Sequence, residues 1–296
     1  MKEFKHIQKR DRIVATLSQD NRFRFVFVKN TNMAQKAKEQ HKLCQTGAFF
    51  LAKTMAGACL LSSLLKGEER IIVSIHPERY IKLLYAEALQ VGEVRGFVKF
   101  QENMPDDPSF IPDSLGKGIF QIEKILYENF KPVYGSIEHV QGDITSEFNE
   151  YLACSEQIPS IMTLQVEMHK DGNVKDSWGT MLQALPGTSM AEIQELHQKI
   201  QPQKYIPDLL ETDAWENILK KILPYSFSIT NNTPSDFYCR CSIEKFKEKL
   251  LTLPLEDLYD MKQNQHNELV CHYCNQQYVL KEEDFDSLIQ KRKEKN

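Results

Sequence analysis

The chain has 296 residues, of which 41% are hydrophobic and 26% charged, and a formal net charge of -4. This composition excludes a disordered chain and leaves room for one large domain or two smaller ones with a buried core. The acidic balance weighs against a protein whose main task is to grip phosphate backbones.

The first residues, Met1-Lys2-Glu3-Phe4-Lys5-His6, contain no apolar run, so no secretory signal is expected. Arg12 to Leu17 and Arg22 to Lys29 read as a hairpin around Ser18-Gln19-Asp20-Asn21, with Phe23, Phe25 and Phe27 on one face. Helices are expected over about 32–43 and 47–66. The second contains the most apolar stretch of the chain, Ala48 to Leu65, but Lys53, Thr54, Ser62 and Ser63 interrupt it. It is read as a buried core helix and not as a membrane span. Strands follow over 70–75, 80–89, 93–100, 117–123, 133–140, 160–169 and 175–184, the last two joined by an Asp171-Gly172 turn. A helix over about 144–155 starts behind Asp143 as N-cap. Runs of strands with few helices predict an α+β core domain over 1–185.

After Leu185-Pro186-Gly187 the pattern changes. Ser189 and Glu192 form a capping box, and Asp213 is placed to cap a helix with Trp215, Ile218, Leu219 and Ile222 on its apolar face. Pro202, Pro207 and Pro224 break the segment, and Thr230-Asn231-Asn232-Thr233-Pro234 reads as a loop. The region 186–235 is therefore expected to be a helical connector whose short helices depend on packing against neighbours. A third, small unit is expected over 236–296: a Cys pair, helices over 242–251 and about 254–263, a second Cys pair, a strand and a helix.

Cys239-Arg240-Cys241 and Cys271-His272-Tyr273-Cys274 are the strongest chemical signal. Four thiolates satisfy tetrahedral Zn²⁺, and two close pairs are how small domains supply them. If Cys239 and Cys241 lie on a strand, both point to one face. About 40 residues between Tyr238 and Lys281 hold too little core to fold unaided, so a metal would supply much of their stability. Zinc-held thiolates are also the form that oxidants attack. The expected ligand set is Cys239, Cys241, Cys271 and Cys274, holding one zinc per chain in the reduced state.

Phe237-Tyr238-Cys239-Arg240-Cys241-Ser242 together with Val270-Cys271-His272-Tyr273-Cys274-Asn275 resembles the paired signature of the heat-shock 33 kDa chaperonin family. Further segments agree in order: Leu65-Lys66-Gly67-Glu68-Glu69-Arg70, Val94-Arg95-Gly96-Phe97-Val98, Leu115-Gly116-Lys117-Gly118, Ser155-Glu156-Gln157-Ile158-Pro159 and Leu182-Gln183-Ala184-Leu185-Pro186. One departure is His76-Pro77-Glu78-Arg79, where the family usually has a Gly-rich turn. The resemblance implies a redox-regulated, ATP-independent holdase, and with neither a secretory signal nor a membrane span read from the sequence, the cytoplasm is its expected location. It would be inactive when reduced and zinc-bound. Oxidation would release zinc, pair the cysteines locally as Cys239–Cys241 and Cys271–Cys274, loosen the C-terminal unit and connector, and promote a homodimer. Unfolded or misfolded proteins would be the partners, with neither nucleic acid nor membrane among them. Trp215, Ile218, Leu219 and Ile222 are the residues we expect to meet clients once the connector undocks.

Two other classes compete with this reading. A zinc-ribbon nucleic-acid protein would need a basic groove, but Glu244, Glu248, Glu256, Asp257 and Asp260 answer Arg240, Lys245, Lys247 and Lys249. A dithiol oxidoreductase would need its CxxC beside a βαβ unit. Of the lone cysteines, Cys59 is expected in the core, Cys44 at a surface or helix cap, and Cys154 exposed. Glu156 is read as a helix-end hydrogen-bonding group, and His272 lies outside a shell already filled by four thiolates. No nucleotide-binding motif is present, and no enzymatic activity is expected.

Overall fold

The N-terminal hairpin forms as its alternation requires. Strand β1 (Arg12–Ser18) pairs antiparallel with β2 (Phe23–Lys29), and Asn21 takes a left-handed conformation in the turn, its N–H donating to the Ser18 carbonyl at 3.0 Å. The structure is a computed structural model describing residues 10–101, 115–126, 132–140, 143–200 and 215–294. It divides into two compact units, residues 1–237 and 238–296.

In the first unit the hairpin is followed by α1 (Thr31–His41) and α2 (Gln45–Ser62). Next come β3 (Arg70–Pro77), β4 (Ile81–Leu89), β5 (Glu93–Phe100), β6 (Lys117–Ile125) and β7 (Val133–Val140). Helix α3 (Ile144–Tyr151) runs on into a π-helical turn over Leu152–Glu156 and leads to β8 (Ser160–Met168) and β9 (Val174–Ala184). Helices α4 (Met190–Lys199) and α5 (Trp215–Ile222) and strands β10 (Phe227–Pro234) and β11 (Asp236–Phe237) complete the unit. A five-stranded antiparallel sheet has the order β10-β1-β2-β9-β8. A six-stranded sheet has the order β11-β5-β4-β3-β6-β7, antiparallel except where β11 joins β5.

Helix α2 is the centre of this architecture. It packs on β2, β8 and β9 of one sheet and on β3, β4 and β5 of the other, and nearly every residue from Thr46 to Ser62 is buried. A helix apolar on all sides needs such a sandwich. Its one ammonium, Lys53, pairs with Asp143. Asp143 stands at the N-cap of α3 as expected, yet its carboxylate takes Lys53 and the Thr145 hydroxyl instead of a helix N–H. At Gly57 the ring of Phe148 from α3 leaves no space, since a Cβ there would lie 2.2 Å from it.

Helices α4 and α5 cover the five-stranded sheet. Ser189 and Glu192 form the expected capping box of α4. Ile193, Leu196, Trp215, Ile218, Leu219 and Ile222 are buried in one cluster with Val14, Phe25, Phe27, Trp178 and Leu182. The phenylalanine face of the first hairpin is thus the floor on which these helices sit. Asp213, Pro202 and Pro207 lie outside the described residues.

Two expectations change. Thr230 to Pro234, read as a loop, is the C-terminal part of β10: Asn231 to Pro234 pair with Ala15 to Arg12 of β1, and the register shifts at Thr230 before Ile229 pairs with Thr16. Around His76-Pro77-Glu78-Arg79 the strand does not end at Ile75. It continues to Pro77 opposite Gly118, and Glu78 N–H then donates to the Lys117 carbonyl at 2.8 Å.

The second unit contains α6 (Ile243–Leu250), α7 (Leu255–Gln263), the hairpin β12 (Glu268–Val270) and β13 (Gln277–Val279), and α8 (Glu282–Glu294). Leu258, Leu288 and Ile289 form its small apolar cluster, with Leu250, Leu251, Leu253 and Leu255 packed against it. No helix among the described residues is long and apolar enough to cross a membrane.

Candidate metal centre

Cys271 and Cys274 sit in the turn between β12 and β13. Cys271 N–H donates to the Gln276 carbonyl at 2.9 Å and Asn275 N–H to the Cys271 carbonyl at 2.7 Å, while Asn275 takes the left-handed conformation that closes the turn. The N–H groups of Tyr273 and Cys274 point at the Cys271 sulfur, and that of Gln276 at the Cys274 sulfur. Such N–H groups are fixed partners for a thiolate.

Cys239 and Cys241 do not lie on a strand, contrary to expectation. Strand β11 ends at Phe237, and the CxC backbone is irregular up to Ser242, whose hydroxyl caps α6 by accepting from Lys245 N–H. The Lys245 ammonium braces this stretch by donating to the Arg240 carbonyl at 2.6 Å. The same-face argument is replaced by a loop folded around a common centre.

That centre is shared by four sulfurs. The Sγ atoms of Cys239, Cys241, Cys271 and Cys274 all lie within 4.8 Å of one another, with Cys239–Cys271 at 3.8 Å and Cys241–Cys274 at 3.5 Å. With Zn–S bonds of about 2.3 Å, the sulfurs of a tetrahedral site stand roughly 3.8 Å apart. The cluster therefore fits a tetrahedral metal. Among the described residues it is the one group of three or more such side chains placed to hold an ion, and none of the seven cysteines is in a disulfide. Burial pushes the Cys271 and Cys274 thiols up. Burial acts the same way on Cys241, but hydrogen bonds from Tyr278 and the other cysteines outweigh it and bring that thiol down. Four adjacent sulfurs half out of water are costly to ionise together, and a cation among them removes that cost.

Tyr278 of β13 was not singled out from the sequence. Its hydroxyl lies 3.2 Å from Cys241 Sγ and donates to the Cys241 carbonyl at 3.1 Å, and its ring packs 5.4 Å from that of Phe246 on α6. The only signal available was its position between Gln277 and Val279, which turns it to the opposite face of a short strand.

The remaining candidates fall elsewhere. Cys59 is wholly buried in α2, Cys154 is exposed on the π-helical turn, and the Cys44 sulfur accepts from Gly47 N–H at the start of α2. Glu156 accepts from the Tyr151 hydroxyl at 2.7 Å and pairs with Lys124, a hydrogen-bonding role at a helix end. Trp215, Ile218, Leu219 and Ile222 are brought together, but in the core of the first unit.

Fold and site together define a class: an α+β protein whose small C-terminal unit carries a four-cysteine centre suited to zinc. The Hsp33 protein model matches residues 11–281, and the chain belongs to that family. It is 28% identical over 293 residues to a 33 kDa chaperonin of Desulforamulus reducens, covering 97% of this chain and 99% of the other. A 33 kDa chaperonin of Streptococcus thermophilus is 30% identical over 286 residues, covering 94% and 99%. The fold is similar to that of the 33 kDa chaperonin (heat shock protein 33 homolog) of Thermotoga maritima, with a TM-score of 0.80 at 24% identity over 96% of this chain and 99% of that one.

Proposed function

We propose that this chain is a redox-regulated chaperone that holds unfolding proteins in the cytoplasm without ATP and without catalysing a reaction. Cys239, Cys241, Cys271 and Cys274 would hold one zinc ion in the reduced state. Bound there, zinc keeps the sulfurs ionised and supplies folding energy to the small unit. A peroxide then takes neighbouring thiolates to disulfides within each close pair, Cys239–Cys241 and Cys271–Cys274, and the ligand set is lost. The second unit loosens, α4 and α5 come away from the five-stranded sheet, and two chains associate. The apolar face of α5 becomes available to client proteins.

One observation carries this reading: four sulfurs within 4.8 Å of one another, in a unit with only a small apolar cluster besides. The names of the relatives support the chaperone class. The test is the aggregation of a thermally unfolding protein with this chain added before and after peroxide treatment, with zinc release followed alongside. Protection that appears only after oxidation and in step with zinc loss is the expected result. Equal protection by the reduced, zinc-loaded chain would refute the redox control.

A further inference from the structure

The Tyr278 hydroxyl has one proton and two neighbours on the same residue, the carbonyl and the sulfur of Cys241. A Cys241 thiol can donate to the phenol oxygen while the phenol donates to the carbonyl. A metal-held sulfur carries no proton and can only accept, so the phenol O–H is the donor placed beside it. The sulfurs of Cys271 and Cys274 receive backbone N–H groups fixed by the hairpin turn. Cys241, in irregular backbone, is served by a side chain held from another element, with Phe246 packed on its ring.

We infer that Tyr278 is a positioning residue that shields Cys241 from oxidant and thereby sets the peroxide threshold of the four-cysteine centre. The inference rests on the redox reading above. In the oxidation, a thiolate attacks a peroxide oxygen, the O–O bond breaks, and a sulfenic acid and hydroxide form. A second thiolate displaces hydroxide from the sulfenic sulfur and closes the disulfide. In sum, two thiolates are oxidised and one peroxide is reduced to two hydroxides. A sulfur lone pair engaged by O–H is a poorer nucleophile in the first step, and the Tyr278 hydroxyl lies 3.2 Å from the Cys241 sulfur. Groups that contact ligands in this way tune a site without belonging to it.

The test is Tyr278→Phe, which keeps the ring and removes the hydroxyl. In the zinc-loaded full chain, zinc release is timed twice, once with hydrogen peroxide and once with a chelator alone. Peroxide-driven release should rise roughly tenfold, as for a lost hydrogen bond to a charged group, while chelator-driven release should change much less if the hydroxyl acts on the oxidation step. Brief peroxide exposure with a sulfenic-acid trap should move the earliest label toward Cys241. If both release rates rise together, or the variant no longer holds one zinc, the hydroxyl is a structural brace and the inference is overturned. Neither rate changing overturns it as well. A wild-type chain that keeps its zinc in peroxide defeats the redox reading itself, and the Tyr278 role with it.

Discussion

The two units are stabilised in different ways. The first wraps two sheets around a helix with almost no exposed surface, and Phe25, Phe27, Phe120, Phe148 and Phe237 are fully buried in it. In the second, α6 buries no residue and α7 buries only Leu258. Leu280, Phe285, Leu288 and Ile289 complete its apolar interior, and Cys271 and Cys274 are the other buried side chains of this kind. One unit carries its stability in its own packing. On the function proposed above, the other would place much of it in a metal held by four sulfurs, which oxidation would remove at once. A switch of that kind would need the second kind of construction beside the first.

The comparison breaks most sharply at the cysteines. Replacing any one of Cys239, Cys241, Cys271 or Cys274 by Ser should abolish stoichiometric zinc and loosen residues 238–294, because structural zinc supplies roughly 10–16 kcal/mol in small domains. Amide exchange should rise throughout that range and stay unchanged along α2. Full zinc content in all four variants would refute the site. In the oxidised protein, mass mapping should find Cys271–Cys274 ahead of Cys239–Cys241. Cross-pairs such as Cys239 with Cys271 would remove the local switch.

A smaller effect is expected where α5 meets the sheet. Leu219 is fully buried, and α5 spans only eight residues, too few to be helical alone. Leu219→Ala should cost about 2–5 kcal/mol and leave α5 partly undocked while zinc stays bound. Reduced Leu219→Ala protein should therefore suppress aggregation where the reduced wild type does not. If 190–234 keeps its exchange protection in oxidised, active wild type, clients bind elsewhere.

The limits of the sequence follow the same division between local and distant causes. The capping box at Ser189 and Glu192, the Asp171-Gly172 turn and the buried helix around Cys59 were legible because each depends on neighbours in the chain. Strand β10 was not. Its Thr-Asn-Asn-Thr-Pro run has loop chemistry, and it becomes a strand because β1, more than 200 residues earlier, offers an open edge. The four cysteines were legible from spacing, but their geometry was not: Cys239 and Cys241 leave the strand before they converge. Tyr278 and Asp11 escaped notice because their partners are chosen by the fold. Nothing in the sequence around Asp11 announces a buried carboxylate.

The smallest effect separates the units by pH. Asp11 is 2% exposed, and its Oδ2 accepts from Met33 N–H at 2.6 Å at the start of α1 while Oδ1 is buried without a partner. Burial pushes its pKa up to about 7, against the helix N–H groups and the charge of Lys29, with Asp236 adding to the rise. Cys59 of α2 also feels its charge. The unfolded chain releases this proton near pH 3.8 and the folded chain near 7, so between those values the folded state binds more protons. The stability of the first unit should therefore fall as pH rises from about 4 to 7 and then level off. The second unit, loaded with zinc, should respond in the opposite sense, because protons compete with metal for thiolates. Both tryptophans, Trp178 and Trp215, lie in the first unit, so urea unfolding followed by their fluorescence reports on it alone. Asp11→Asn removes the titrating proton, so it should flatten the pH dependence of that transition and compare more favourably with the wild type at about pH 8 than at about pH 4. Zinc retention in the same samples should still fall on acidification. If the tryptophan transition of the variant kept the slope of the wild type, the pH response of the first unit would have another source than Asp11.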